Sequence, residues 1–234
     1  MTTTGRHPRR LAASVDARVR EQRASHAYRG VLALIILSFL FSASAPDEPW
    51  TRGVLLLIVS ATLATALWRS REEALRAPML AVFAAAVLAT AQIADGGRAL
   101  TTAAGVLSGL FVAATIVVIA RGVIRKGEIN GESIIGAIGI YLLLGMLFTF
   151  AYAVLALEGA GPFFAQGTDG TGATRLYFSY TTLTTVGYGD YTAAGDVGHT
   201  VAVSEALLGQ LYLVTVVALL VSRVRPRRGA DPPT

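Results

Sequence analysis

The chain has 234 residues, 53% of them hydrophobic, with three histidines, no cysteine and a net charge of +5. That hydrophobic fraction is high for a soluble domain, and the absence of cysteine excludes disulfide and thiol chemistry. The positive charge is nearly all arginine, placed at the ends of apolar runs, which is the pattern of a membrane protein and not of a nucleic-acid binder.

Residues 1–29 are polar and basic, with Arg6, Arg9, Arg10, Arg18, Arg20, Arg23 and Arg29. Two readings stand. Leu11, Val15 and Val19 recur at helical spacing, as in a helix lying on an anionic leaflet; the composition equally suits a solvated tail without a packed core. Apolar runs follow at 31–45, 53–68, 78–94, 100–120, 134–157 and 198–221. Each is near the roughly 20 residues that cross the hydrocarbon core as a helix. The first two are short, and Tyr28, Trp50 and Trp68 are their expected interfacial anchors. Ala43-Ser44-Ala45 has the form of a signal-peptidase site, but Pro46 after it and the long basic stretch before it favour a retained first span.

Six spans put both termini on one side. Seventeen of the twenty basic residues then share that side, and only Arg52, Arg98 and Arg175 lie opposite. By the positive-inside rule the shared side is cytoplasmic. Between the last two runs come a glycine-rich loop at 158–174 and a short helix at 175–183. That helix is too short to span, so it is expected to be re-entrant.

Thr184-Thr185-Val186-Gly187-Tyr188-Gly189-Asp190 follows. A potassium ion sheds its water only where oxygens at similar spacing replace the hydration shell. Consecutive backbone carbonyls supply them if all turn to one axis, which needs residues tolerant of unusual backbone angles, here Gly187 and Gly189. The expected ion sites are the carbonyls of Thr185, Val186, Gly187 and Tyr188, with the Thr185 hydroxyl completing the innermost. Val186 and Tyr188 point away and hold the segment by packing. The motif occurs once in the chain, so one subunit supplies a quarter of the pore and a homotetramer is implied. The permeant K⁺ is the only ligand expected, with no cofactor.

With its flanking apolar runs, the stretch 134–221 resembles the pore module of the potassium channel superfamily. The whole chain resembles a small bacterial six-span member without a cytoplasmic regulatory domain. The resemblance implies an all-α integral membrane protein with six transmembrane helices, a re-entrant pore helix and a selectivity filter, assembled as a tetramer in the plasma membrane. The implied division is a basic amino tail (1–29), a four-helix voltage-sensor-like domain (30–122), a linker (123–133), a pore domain (134–222) and a short basic tail (223–234). It also implies that Tyr177 and Phe178 brace the filter where many relatives carry tryptophan. Thr181 stands where some relatives have an acidic partner for Asp190, and Thr184 supports the filter base. Gly209, nineteen residues after Asp190, falls at the hinge of the pore-lining helix; close helix packing is the alternative reading of that glycine.

On helical spacing Gln210, Leu213, Val214 and Val217 line the cavity below Gly209. Glu205 is an ionisable residue in an apolar run and therefore a functional candidate. Support of the filter is favoured over a pH-sensitive gate. Asp190, Asp196 and Glu158 are expected to raise cation concentration at the mouth, and a structural role is expected for His199.

Voltage sensors carry arginine at every third position of the fourth span. The run 100–120 has none, so steep voltage gating is not expected, and the first four spans resemble a vestigial sensor packed around the pore. Anionic lipid at the cytoplasmic arginines is one candidate for gating. Nothing forms a catalytic constellation, and no repeat symmetry suggests a secondary transporter. A non-selective cation channel fits poorly because Tyr188 is present. The remaining alternative is a non-conducting scaffold or accessory subunit that retains a pore module.

Overall fold

Hydrocarbon offers no partner to a backbone N–H or C=O, so apolar runs of this length fold as helices that pair those groups internally. The computed structural model describes residues 27–70, 98–125 and 131–223. Six helices lie within them: α1 (Ala27–Ser44), α2 (Pro49–Ser70), α3 (Arg98–Arg125), α4 (Gly131–Glu158), α5 (Gly172–Leu183) and α6 (Asp196–Arg223). Four contain stretches long and apolar enough to cross a bilayer, namely Trp50–Trp68, Thr101–Arg125, Gly131–Glu158 and Asp196–Val216. The apolar part of α1, Arg29–Ser44, is shorter. The expected third span at 78–94 lies outside the described residues, as do most of the amino tail, residues 126–130 and the carboxyl tail from 224.

The helices outrun the apolar segments that announce them. At 28 residues each, α3, α4 and α6 measure about 42 Å at the α-helical rise, against a hydrocarbon core of about 30 Å. Both α3 and α4 therefore enter the stretch expected as a linker at 123–133. Hydropathy marks only the hydrocarbon depth, and the backbone continues as helix through the interface.

Helix α4 is the hub, packed by α1, α3, α5 and α6. Small residues set its distances, as is usual where two apolar helices gain nothing from excluding water. On α3, Gly105 and Gly109 meet Val154 and Phe150 of α4, and Gly139 of α4 meets Ile35 of α1. Hydroxyls buried between the helices donate to carbonyls three or four residues back, including Ser38 to Ile35, Ser108 to Ala104 and Thr115 to Phe111. These bonds satisfy the polar groups without a partner helix.

The short α5 is wedged between α4 and α1 by one ring. Tyr180 donates its hydroxyl to the Leu142 carbonyl at 2.6 Å, and Phe39 of α1 meets its ring edge-on at 5.0 Å. Gly145 makes the space, since a Cβ there would come 2.7 Å from the Tyr180 ring. Gly145→Ala should lower the thermal unfolding midpoint of the detergent-solubilised protein through an overpacking cost of about 1–3 kcal/mol. Gly131→Ala, whose added carbon meets nothing within 4 Å, should leave it unchanged. Equal midpoints for the two variants would contradict this packing.

Candidate functional site

Helix α5 begins at a capped turn. The Thr171 side chain accepts from the Thr174 amide at 3.1 Å, satisfying one of the free amides at the helix start. Arg175 reaches back into the preceding loop and donates to the carbonyls of Asp169 (2.9 Å) and Gly170 (2.8 Å). Phe163 and Phe164 pack edge-on against Phe178 of α5, and Phe164 bridges to Ala193 beyond the signature segment. The loop is thus tied to both ends of the segment that follows α5. With 12 residues, α5 extends about 18 Å and cannot cross a bilayer.

The signature segment leaves the carboxyl end of α5 in an unusual backbone. Thr185, Gly187 and Gly189 have φ of 57°, 53° and 78°, while the intervening Val186 and Tyr188 are not in the positive region. Alternation of handedness from residue to residue turns successive carbonyls to one side, where an extended strand would turn them to opposite sides. Thr185 is the only non-glycine residue with positive φ among the described residues, a conformation that costs about 1–2 kcal/mol.

The amides of the segment are spent on α5. Thr185 N–H donates to the Thr182 carbonyl at 2.9 Å, and the amides of Val186 and Gly187 both donate to the Thr181 carbonyl, at 2.9 and 3.1 Å. No carbonyl from Thr185 to Tyr188 accepts a protein hydrogen bond among the described residues. Residues 184–190 are all exposed in the single subunit. Each backbone polar group needs a partner, so this is a row of acceptors turned outward from the fold.

Behind the segment, Tyr177 stacks on Tyr188, with centroids 6.2 Å apart and planes 5° from parallel. The expected partner of Asp190 was the hydroxyl of Thr181. That hydroxyl instead donates to the Phe178 carbonyl within its own helix at 3.0 Å. Phe178 lies in the aromatic cluster, and Thr184 caps α5 by donating to the Tyr180 carbonyl at 2.6 Å. Asp196 opens α6, where a carboxylate suits the helix amino end. Glu158 accepts from Thr102 at the seam with α3. His199 Nε2 lies 2.7 Å from the Ala193 carbonyl.

Helix α6 crosses the end of α5 in backbone contact. A Cβ at Gly209 would come 2.2 Å from the Leu183 carbonyl oxygen, so no side chain fits there. Four residues earlier Glu205 is fully buried. It accepts from Tyr152 of α4 and Ser179 of α5, both at 2.5 Å, and Ser179 Oγ also lies 2.7 Å from the Gly145 carbonyl. One carboxyl group therefore joins three helices. One residue past Gly209, Gln210 donates to Thr185 Oγ1 at 2.7 Å. Leu213 and Val214 are exposed on the same helix, while the side chain of Val217 lies outside the described residues. Ser179, Tyr180 and Tyr152 were not among the residues expected from sequence. Their signal is weak, since a hydroxyl in an apolar helix usually bonds its own backbone.

Glu205→Ala leaves the Tyr152 and Ser179 hydroxyls buried without that acceptor, at about 1–3 kcal/mol each. It should lower the unfolding midpoint by several degrees, with Glu205→Gln, which keeps an acceptor, falling in between. Thermal melts in detergent check this, and an alanine variant as stable as wild type would show that the carboxyl joins nothing.

A family model described as ion channel matches residues 139–225. Over 94 residues the chain is 33% identical to the inward rectifier potassium channel Kirbac3.1 of Paramagnetospirillum magnetotacticum, covering 39% of this chain and 30% of that protein. Over 80 residues it is 34% identical to "Probable potassium channel protein 2" of Methanocaldococcus jannaschii, covering 33% of this chain and 20% of that protein. The chain thus spans less than a third of the length of the curated relatives it matches. No solved structure matches it. The matched region runs from α4 through α5 and the signature segment to the end of α6, and over that region the chain is similar to ion-channel and potassium-channel sequences.

Proposed function

We propose that this protein is a potassium-selective channel in the plasma membrane. In this reading four copies surround an axis, and K⁺ passes down the carbonyls of Thr185, Val186, Gly187 and Tyr188. The observation that carries the reading is the alternating backbone of residues 185–189 with its amides bonded back to α5. Carbonyls so placed replace the hydration shell of a potassium ion. The carboxyl end of α5 points its own partial negative charge toward the same region.

Assembly around an axis accounts for the apolar face of α6. Val203, Leu207 and Leu211 are between 59% and 64% exposed. These residues follow one another at helical spacing, and three further copies of the chain would cover them. Gly209 is the point about which α6 bends, and Gln210, Leu213, Val214 and Val217 line the cavity beneath the filter. Both termini are cytoplasmic, in keeping with the arginine distribution, and those arginines contact anionic lipid. Helix α3 has no arginine between Arg98 and Arg121. A charge crossing the field contributes about 2.3 kcal/mol per 100 mV, so the channel lacks the charges needed for steep voltage dependence.

Gly187→Ala tests the central element. Its added carbon meets nothing within 4 Å, so assembly should survive. A φ of 53° costs alanine about 1–2 kcal/mol in each subunit, and the carbonyl row should turn. K⁺ flux into liposomes should fall to background while size-exclusion chromatography still gives tetramers. Unchanged flux would remove the assignment of residues 185–188 as the filter.

A further inference from the structure

We propose that Gln210 is a positioning residue for the innermost ion site: it orients the Thr185 hydroxyl so that its oxygen, and not its proton, faces the axis. The inference rests on reading residues 185–188 as the filter and deepens it.

A threonine hydroxyl has one proton and two lone pairs. As an ion ligand it serves only when a lone pair points at the cation; with the proton turned inward it repels the ion. Nothing in the threonine itself settles that choice, because the proton rotates about the C–O bond. Gln210 settles it from outside. Its Nε2 lies 2.7 Å from Thr185 Oγ1, within range of a good hydrogen bond. As donor, the amide occupies one lone pair and leaves the other for the ion, with the hydroxyl proton directed elsewhere. Were the amide turned the other way, Oε1 would take the hydroxyl proton and both lone pairs would be free. With the amide donating, one lone pair remains for the ion; with Oε1 accepting, the proton itself is held toward Gln210 and both lone pairs remain.

The reach of Gln210 follows from its neighbour. Gly209 lets the α6 backbone lie against the Leu183 carbonyl at the end of α5, and Thr185 is two residues beyond Leu183. A bulkier residue at 209 would lift α6 and the amide with it. Thr185 also holds a positive φ of 57°, which disfavours a β-branched side chain. An external bond at that position both orients the hydroxyl and holds the strained residue. The four copies around an axis would make a ring of amides beneath the filter, at the ion site first met from the cavity.

Barium probes this site. It resembles K⁺ in radius and carries twice the charge, so it reports the oxygens around it strongly. The experiment is barium binding to the purified full-length tetramer in potassium-free buffer by isothermal titration calorimetry. It compares wild type, Gln210→Leu, Thr185→Val and the double variant. Gln210→Leu should weaken binding about tenfold, the scale of a lost hydrogen bond to a charged site. On the Thr185→Val background the same change should do nothing, because there is no hydroxyl left to orient. Wild-type affinity in Gln210→Leu, or the same tenfold loss on both backgrounds, would overturn the proposal; the second outcome is what a merely structural glutamine gives. Failure of Thr185→Val itself to weaken barium would instead overturn Thr185 as an ion ligand, and the proposal with it. If Gln210→Leu does not form tetramers, Gln210→Glu carries the test. Its carboxylate accepts the hydroxyl proton, so barium should bind at least as tightly as in wild type, and weaker binding would overturn the proposal.

Discussion

Everything around the signature segment depends on how the backbone from Thr184 to Gly189 divides its hydrogen bonds. The amides must be satisfied within the subunit while the carbonyls stay unpaired. The end of α5 solves this by offering the Thr181 and Thr182 carbonyls, which a helix leaves free in its last turn, to the amides of residues 185–187. The arrangement works only while α5 stays still, because a shift of its last turn moves every oxygen beyond it. The fold accordingly holds α5 on several sides: Arg175 and Phe178 to the outer loop, Ser179 through Glu205 to α6, and Tyr180 to α4 and α1.

The first helices take their significance from the same requirement. Helix α1 touches α5 directly through Phe39, and α3 lies along α4 on paired small residues. Packed interiors transmit displacement because they have few voids to absorb it. A displacement of α1 therefore meets α5 directly, and one of α3 meets it through α4.

Much of this was legible in the sequence, and the reasons are specific. The runs behind α2, α3, α4 and α6 could be read because burial in hydrocarbon demands uninterrupted apolar residues. Their ends could not, since hydropathy says nothing of helix continuing through the interface. Gly187 and Gly189 announce a backbone with positive φ, whereas Thr185 gives no such signal and yet shares it. The distant pairs were the hardest. Glu205 stood out as a lone carboxylate among apolar residues, but its partners Tyr152 and Ser179 depend on how three helices cross, which no local pattern encodes. Gln210 at Thr185 is of the same kind. The glycines at 145 and 209 are the trace such crossings leave in a sequence: both stand where another helix would collide with a side chain.

Selective permeation through unpaired carbonyls is tested most directly by ion flux through purified protein in liposomes, with K⁺ and Na⁺ compared under equal gradients and barium as blocker. Barium-sensitive flux strongly favouring K⁺ is expected, because carbonyls spaced for the larger ion do not replace the hydration shell of the smaller one equally well. Sodium flux of equal size would contradict it.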